Sequence, residues 1–150
     1  MIRGYLLTSG GRRRPFVKAV FQFPGLRDGS VEVDLLVDTG ADRTVLSPLD
    51  AEKLATDLGI DFSSLPRGTS GAGVGGQVDT RIVEAVITLD SFSTSLTLTI
   101  LEPPVGRPIP SIPSLLGRDI ISQFALILEE RTNRVLLLEP HEADALALPS

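Results

Sequence analysis

The sequence contains no cysteine and no tryptophan, a single histidine (His141) and only 5% aromatic residues. Without cysteine there is no thiol nucleophile, no disulfide framework, no thiolate zinc site and no iron–sulfur cluster. One histidine, close to the C-terminal end, argues against a multi-histidine metal site and against a Ser-His-Asp triad within one chain. No apolar stretch approaches the ~20 residues of a membrane helix; the longest are short runs such as Phe124–Leu128 and Val135–Leu138. Met1–Leu7 lacks the long apolar segment of a signal peptide, so a cytoplasmic location is expected. Positive charge is scarce as well: 14 Lys+Arg face 19 Asp+Glu, for a formal net charge of −5. A nucleic-acid binder normally shows a basic face, and neither nucleic acid nor a membrane is expected as a partner. Arg12-Arg13-Arg14 beside Gly10-Gly11 is too short for a polybasic anchor and reads as a solvated turn. If the protein is an enzyme, its acid–base chemistry runs on carboxylates.

What is present suits one folded domain. The 150 residues are 42% hydrophobic, enough for a core that must be mainly aliphatic. Short strand-like runs recur with turn signals between them. Phe16–Phe23 alternates and stops at Pro24-Gly25, and Val31–Val37 puts Val31, Val33 and Leu35 on one face. Thr80–Leu89 and Ser93–Leu101 form a hairpin pattern around Asp90-Ser91; Phe124–Glu129 and Val135–Glu139 form another through Arg131-Thr132-Asn133. Two helices interrupt the β pattern. Ser47 is suited to cap the first, with Pro48 at its first position, a stripe of Leu49, Leu54, Ala55 and Leu58, and Gly59 as its end. The second is short, with Asp119 as its cap and Ile120–Gln123 as its body. Pro103–Pro113 cannot be a central strand or a helix and is expected as a surface loop. The fold class is therefore mainly β with one or two short helices.

Three segments carry chemistry. In Leu35-Leu36-Val37-Asp38-Thr39-Gly40-Ala41-Asp42 an apolar strand delivers a carboxylate into a tight turn, after which Thr44-Val45-Leu46 resumes the strand. Gly40 lets backbone approach the carboxyl group, and the Thr39 hydroxyl can both donate and accept. Taken alone, this tripeptide also suits an ordinary turn in which Asp38 binds backbone N–H groups. Gly71-Ala72-Gly73-Val74-Gly75-Gly76 has four glycines in six residues and reads as a flexible hairpin tip. No Lys or helix signal follows, which argues against a phosphate cradle. In Leu115-Leu116-Gly117-Arg118-Asp119 a strand reaches a glycine, then an arginine that can pair with a carboxylate, with Asp42 as the candidate.

In that order, Asp38-Thr39-Gly40-Ala41-Asp42, the glycine-rich segment and Leu116-Gly117-Arg118-Asp119 before a short helix resemble the retropepsin-like aspartic proteases, of the cellular or prokaryotic kind. The resemblance covers roughly residues 16–139. It implies a retropepsin-like domain over 1–139, with 1–15 a candidate flexible segment and 140–150 a tail, closed by homodimerisation. Asp38, Thr39 and Gly40 would match the catalytic turn. Ala41 and Asp42 would contact substrate main chain, Gly73, Val74, Gly75 and Gly76 would form the flap tip, and Pro113 and Leu115 would line side-chain subsites. Arg118 would buttress Asp42, while Asp119 stands where the viral motif often has Asn. No cofactor or metal is implied.

The chain holds one Asp-Thr-Gly; Asp90-Ser91-Phe92 lacks the glycine. Two carboxyl groups are needed, one as the base that activates water and one protonated against the scissile carbonyl, so a symmetric dimer is expected. The partners implied are a second copy and a peptide or protein substrate. The other reading is a non-catalytic module that dimerises or binds extended peptides. A sugar hydrolase using two carboxylates ranks last.

Overall fold

The computed structural model describes residues 1–69, 72–73, 76–77 and 79–149. Strands dominate. Strands β1 (Ile2–Arg3) and β2 (Tyr5–Ser9) lead into the long β3 (Arg12–Phe23) and β4 (Arg27–Val37). Gly10 and Gly11, with φ of +61° and +75°, make the turn between β2 and β3, a conformation that side chains would strain. Arg12–Arg14 are consequently not a turn. They open β3 and pair with Leu7–Ser9, since the two glycines complete the reversal by themselves. The segment 1–15, expected as flexible, is paired through β1, β2 and the start of β3.

After β5 (Val45–Leu46) comes helix α1 (Pro48–Leu58). Then follow the short β6 (Ala72–Gly73) and β7 (Gly76–Gln77), β8 (Thr80–Leu89) and β9 (Phe92–Leu101). Strand β10 (Ser114–Leu116), helix α2 (Arg118–Ile121), β11 (Ala125–Glu129), β12 (Arg134–Leu138) and α3 (Pro140–Asp144) complete the chain. The 103–113 stretch forms no regular element, as its prolines require. Asp90 (φ +50°) closes the β8–β9 hairpin and Asn133 (φ +57°) the β11–β12 hairpin. The tail begins with α3, where the Glu139 N–H donates to Glu142 Oε1 at 3.1 Å in a capping box. Glu139, His141 and Glu142 bring ligand atoms within 4.8 Å of one another; the capping box and the terminal amine on Glu142 at 2.7 Å account for that grouping.

Six strands close into a ring in the order β3-β4-β10-β5-β9-β8, because β8 returns to β3. The 12 residues of β3 make this possible. One edge takes β2 along Arg12–Phe16 and β8 along Val20–Gln22, while the other takes β4. Ring closure leaves few exposed edges. A separate three-stranded sheet, β1-β12-β11, gathers the two ends of the chain. The inward rows are Val17, Ala19, Phe21 and Phe23 of β3 and Val31, Val33, Leu35 and Val37 of β4, joined by Ile87, Leu89, Leu98 and Ile100. The core is aliphatic with a few phenylalanines, as the composition demands.

Helix α1 starts and ends as its sequence signals require. The Asp50 N–H donates to Ser47 Oγ at 3.3 Å, and Gly59 adopts φ +67° with its N–H on the Ala55 carbonyl. Its buried stripe differs from expectation: Pro48, Ala51 and Leu54 face inward, while Leu49 is 49% exposed. The rotation follows from Asp50, whose Oδ2 accepts from the buried Ser114 hydroxyl at 2.6 Å. Holding Asp50 against β10 turns Leu49 away from the core. Among the described residues no helix is long and apolar enough to cross a membrane.

Candidate active site

Strand β4 runs inward-facing to Val37 and hands the chain to Asp38. Strand β10 lies beside it in parallel register, Leu35 opposite Ser114 and Val37 opposite Leu116. On its other side β10 is antiparallel to β5, with Leu115 opposite Val45. A strand from late in the sequence is thus inserted between the two arms of the Asp38 loop. The Asp38 N–H donates to the Leu116 carbonyl at 3.1 Å, and the Ala41 N–H returns to the Asp38 carbonyl at 3.2 Å, closing the turn. The Gly40 N–H donates to Asp38 Oδ1 at 2.9 Å. A Cβ at Gly40 would lie 3.2 Å from that same oxygen, so glycine keeps the carboxylate closely covered by backbone. Asp38 is half-buried, whereas Thr39 and Gly40 are exposed. The carboxylate therefore has one oxygen held and is presented at an open edge of the fold.

The second loop supports the first mainly through backbone. The Arg118 N–H donates to the Ala41 carbonyl at 2.8 Å, and the Asp119 N–H to the Asp42 carbonyl at 3.1 Å. Gly117 passes so close that a Cβ there would sit 2.3 Å from the Arg43 carbonyl carbon. Arg118 and Asp42 are both exposed, and no Arg118–Asp42 ion pair forms among the described residues. Their loops are joined through main-chain atoms, which bring the segments together without needing the guanidinium.

Asp119 also differs from its expected place. Gly117 is the N-cap of α2, and it offers no side chain for capping. The Asp119 carboxylate instead accepts from the Thr44 N–H at 2.9 Å and from the Thr44 hydroxyl at 2.8 Å. Two convergent donors on one residue satisfy both carboxylate oxygens, which a cap position would not. Thr44 is completely buried, and its Oγ1 accepts from the Gly117 N–H at 3.2 Å. This residue, read from sequence only as strand, ties both loops together. Replacing Thr44 with Val removes one donor to Asp119 and the acceptor for the Gly117 N–H. Stability should fall by about 2 kcal/mol, measured by urea unfolding. A Thr44→Ser variant should recover most of the loss, because it restores the hydroxyl.

A comparable buried pair underlies β10. The Ser47 N–H donates to Ser114 Oγ at 2.8 Å, and Ser114 in turn donates to Asp50. Of the expected subsite residues, Ala41, Pro113 and Leu115 are half-buried and belong to or adjoin the Asp38 turn and β10. Gly73 and Gly76 are paired across β6–β7; Val74 and Gly75 lie outside the described residues. The hairpin is carried on a ribbon: the Gly68 N–H donates to the Thr80 carbonyl at 2.9 Å and the Ile82 N–H to the Pro66 carbonyl at 3.0 Å. Arg81 anchors its base. The guanidinium pairs with Glu102 at 3.2 Å and donates to the Leu65 carbonyl at 2.9 Å, an anchor that sequence reading did not find.

No curated protein matches the chain closely enough to count. Among solved structures it is similar to a retropepsin-like aspartic protease from Rickettsia conorii, with a TM-score of 0.58 and 17% identity over 89% of this chain and 87% of that one. It is also similar to the EIAV protease complexed with the inhibitor HBY-793, with a TM-score of 0.53 and 23% identity over 81% of this chain and 100% of that one. At these identities the likeness establishes the fold. The family model described as aspartyl protease matches residues 24–120, a span that contains the Asp38 turn, the β6–β7 ribbon and the Gly117–Asp119 loop. The chain belongs to the aspartyl protease family, with the retropepsin-like fold.

Proposed function

We propose that the chain is one half of a homodimeric aspartic endopeptidase, in which Asp38 and Asp38 of the partner subunit form the catalytic pair. The observation that carries this reading is the Asp38 turn itself: one carboxylate per chain, one oxygen held by the Gly40 N–H at 2.9 Å, beside exposed Thr39 and Gly40. A turn with an open edge suits a second copy placed against it. The outer edge of β11, which pairs with no strand among the described residues, offers further surface at the chain ends.

In the dimer two carboxyl groups lie close enough that they share one proton, because adjacent like charges resist joint ionisation. The ionised partner takes a proton from water, whose oxygen attacks the scissile carbonyl carbon. The protonated partner hydrogen-bonds the carbonyl oxygen, and a proton then passes to the leaving nitrogen as the C–N bond breaks. Activity should favour acidic to mildly acidic pH. The flap tip proposed at Gly73, Val74, Gly75 and Gly76 would fold over an extended peptide. Ala41 and Asp42 would meet its main chain, and Pro113 and Leu115 its side chains.

The test is hydrolysis of an extended peptide by purified protein over a dilution series, with sedimentation in parallel. Specific activity should fall in step with the dimer fraction, because a monomer has half a site. Undiminished specific activity in fully dissociated protein would overturn the dimeric site. A dimer that binds peptide and cuts none at any acidic pH would make the chain a peptide-binding module.

A further inference from the structure

A cleft of about 340 Å³ opens beside the loop that leaves the Asp38 turn, lined by Arg43, Ser95, Leu96, Thr97, Asp119, Ile120 and Gln123. Nothing in the hydrolytic chemistry uses it. Its polar groups are mostly committed. Asp119 holds both donors of Thr44, the Thr97 hydroxyl donates to Glu84 at 2.6 Å, and the Gln123 amide nitrogen donates to the Asp119 carbonyl at 3.2 Å. Among the described residues the Ser95 hydroxyl and Arg43 are the exceptions, and only Arg43 carries a charge. It is exposed, and its guanidinium makes no ion pair or hydrogen bond among the described residues.

The backbone beneath that side chain is nevertheless fixed. Asp42 accepts from the Asp119 N–H, Thr44 donates to the Asp119 carboxylate, and the Arg43 carbonyl carbon is pressed against Gly117. A rigid root with an unengaged cationic head is what carboxylate recognition needs. The planar guanidinium presents paired N–H donors to a carboxylate and stays charged at any working pH. Arg43 is also near the reaction in chain terms. It lies five positions after Asp38, so the two Cα atoms lie within about 18 Å. An extended peptide spans that distance in about five residues.

We propose that Arg43 is a specificity-determining residue that receives an acidic side chain, Glu or Asp, of the bound peptide within about five positions of the scissile bond. The inference rests on the proposed peptide site and names the class of peptide that site prefers. Because the cleft is open to solvent, the preference should be moderate and should weaken at high salt.

The test uses two matched sets of extended peptides, with Glu or Lys scanned through the positions on each side of the cut, and reads both cleavage and equilibrium binding. At one position wild type should prefer Glu over Lys by about tenfold, and the ratio should shrink in high salt. Arg43→Glu should reverse the order at that position alone, and Arg43→Gln should remove the discrimination. Equal treatment of Glu and Lys at every position, or a preference unchanged in both variants, would overturn the role of Arg43. Peptides bound with the Arg43-dependent preference and never cut would sustain this inference and overturn the proposed hydrolysis.

Discussion

Replacing Asp38 with Asn is expected to abolish peptide hydrolysis, lowering kcat by about 10³-fold or more while leaving the protein folded. The amide is nearly the same size as the carboxyl group, and its oxygen can still accept from the Gly40 N–H, which holds Asp38 Oδ1 at 2.9 Å in the native turn. The backbone bonds to Leu116 and Ala41 are untouched by the change. What is lost is the group proposed to take a proton from water, and an amide cannot replace it. Circular dichroism and sedimentation should therefore match wild type, and the loss should appear in kcat rather than in peptide binding. Mixing wild-type and Asp38→Asn protomers adds a sharper readout. If both protomers contribute their Asp38, random mixing at equal amounts leaves about a quarter of the activity instead of a half. Once mixed dimers have formed, about three quarters of the activity would show that one carboxylate suffices, and full activity in the pure variant would falsify the assignment of Asp38.

The largest effect on stability is expected from Gly117→Ala. The added Cβ would stand 2.3 Å from the Arg43 carbonyl carbon and 2.4 Å from its oxygen. Both are main-chain atoms, which cannot turn aside as a side chain would. Gly117 also donates its N–H to the buried Thr44 hydroxyl, so moving it breaks the link among Thr44, Asp119 and the Asp38 loop. A loss of about 3 kcal/mol or more is expected, readable as a lower midpoint in urea with an unchanged slope. Gly59→Ala offers a contrast: its φ is +67° but no atom lies within 4 Å of the added Cβ. It should cost about 1 kcal/mol. Equal losses at the two glycines would show that backbone conformation, not the close crossing at Arg43, dominates.

Local signals explain why much of the architecture was legible. Strand alternation in Phe16–Phe23 and Val31–Val37 depends on which neighbours share a face, and the buried rows of β3 and β4 follow it. The Ser47 cap and Gly59 terminus are decided within one helical turn, and both hold. A basic run beside glycines looks like part of the turn, whereas two glycines with positive φ complete the reversal alone and β3 opens at Arg12. Leu49 was misplaced for a different reason. Periodicity locates a stripe but not the helix's rotation, and that rotation depends on Ser114, 64 residues away from Asp50.

The candidate site divides along the same line. Its residue types and their order along the chain could be read directly, and they led to the family through three separated motifs. The partners of those residues could not. Its position in the sequence suits Asp119 to a local helix cap, but its carboxylate binds Thr44 across 75 residues. Arg118 was assigned to Asp42 by charge, while the structure joins their loops through N–H and carbonyl groups that every residue carries. Backbone hydrogen bonds leave no mark on residue identity, so side-chain chemistry could not reveal them.

By itself, the sequence determined which side chains are available: no thiol, a single histidine and one Asp-Thr-Gly tripeptide, on which the proposed carboxylate chemistry with a second copy is built. It also determined the strands, the turns between them and the ends of α1, because each depends on interactions within a few residues. Only the tertiary structure decided that β10 is inserted between β4 and β5, that Thr44 and Asp119 lock the two loops, and that Arg43 is left with a fixed root and an unengaged charge. Those outcomes depend on segments more than 60 residues apart meeting in one place, and the whole closed sheet is what brings them there.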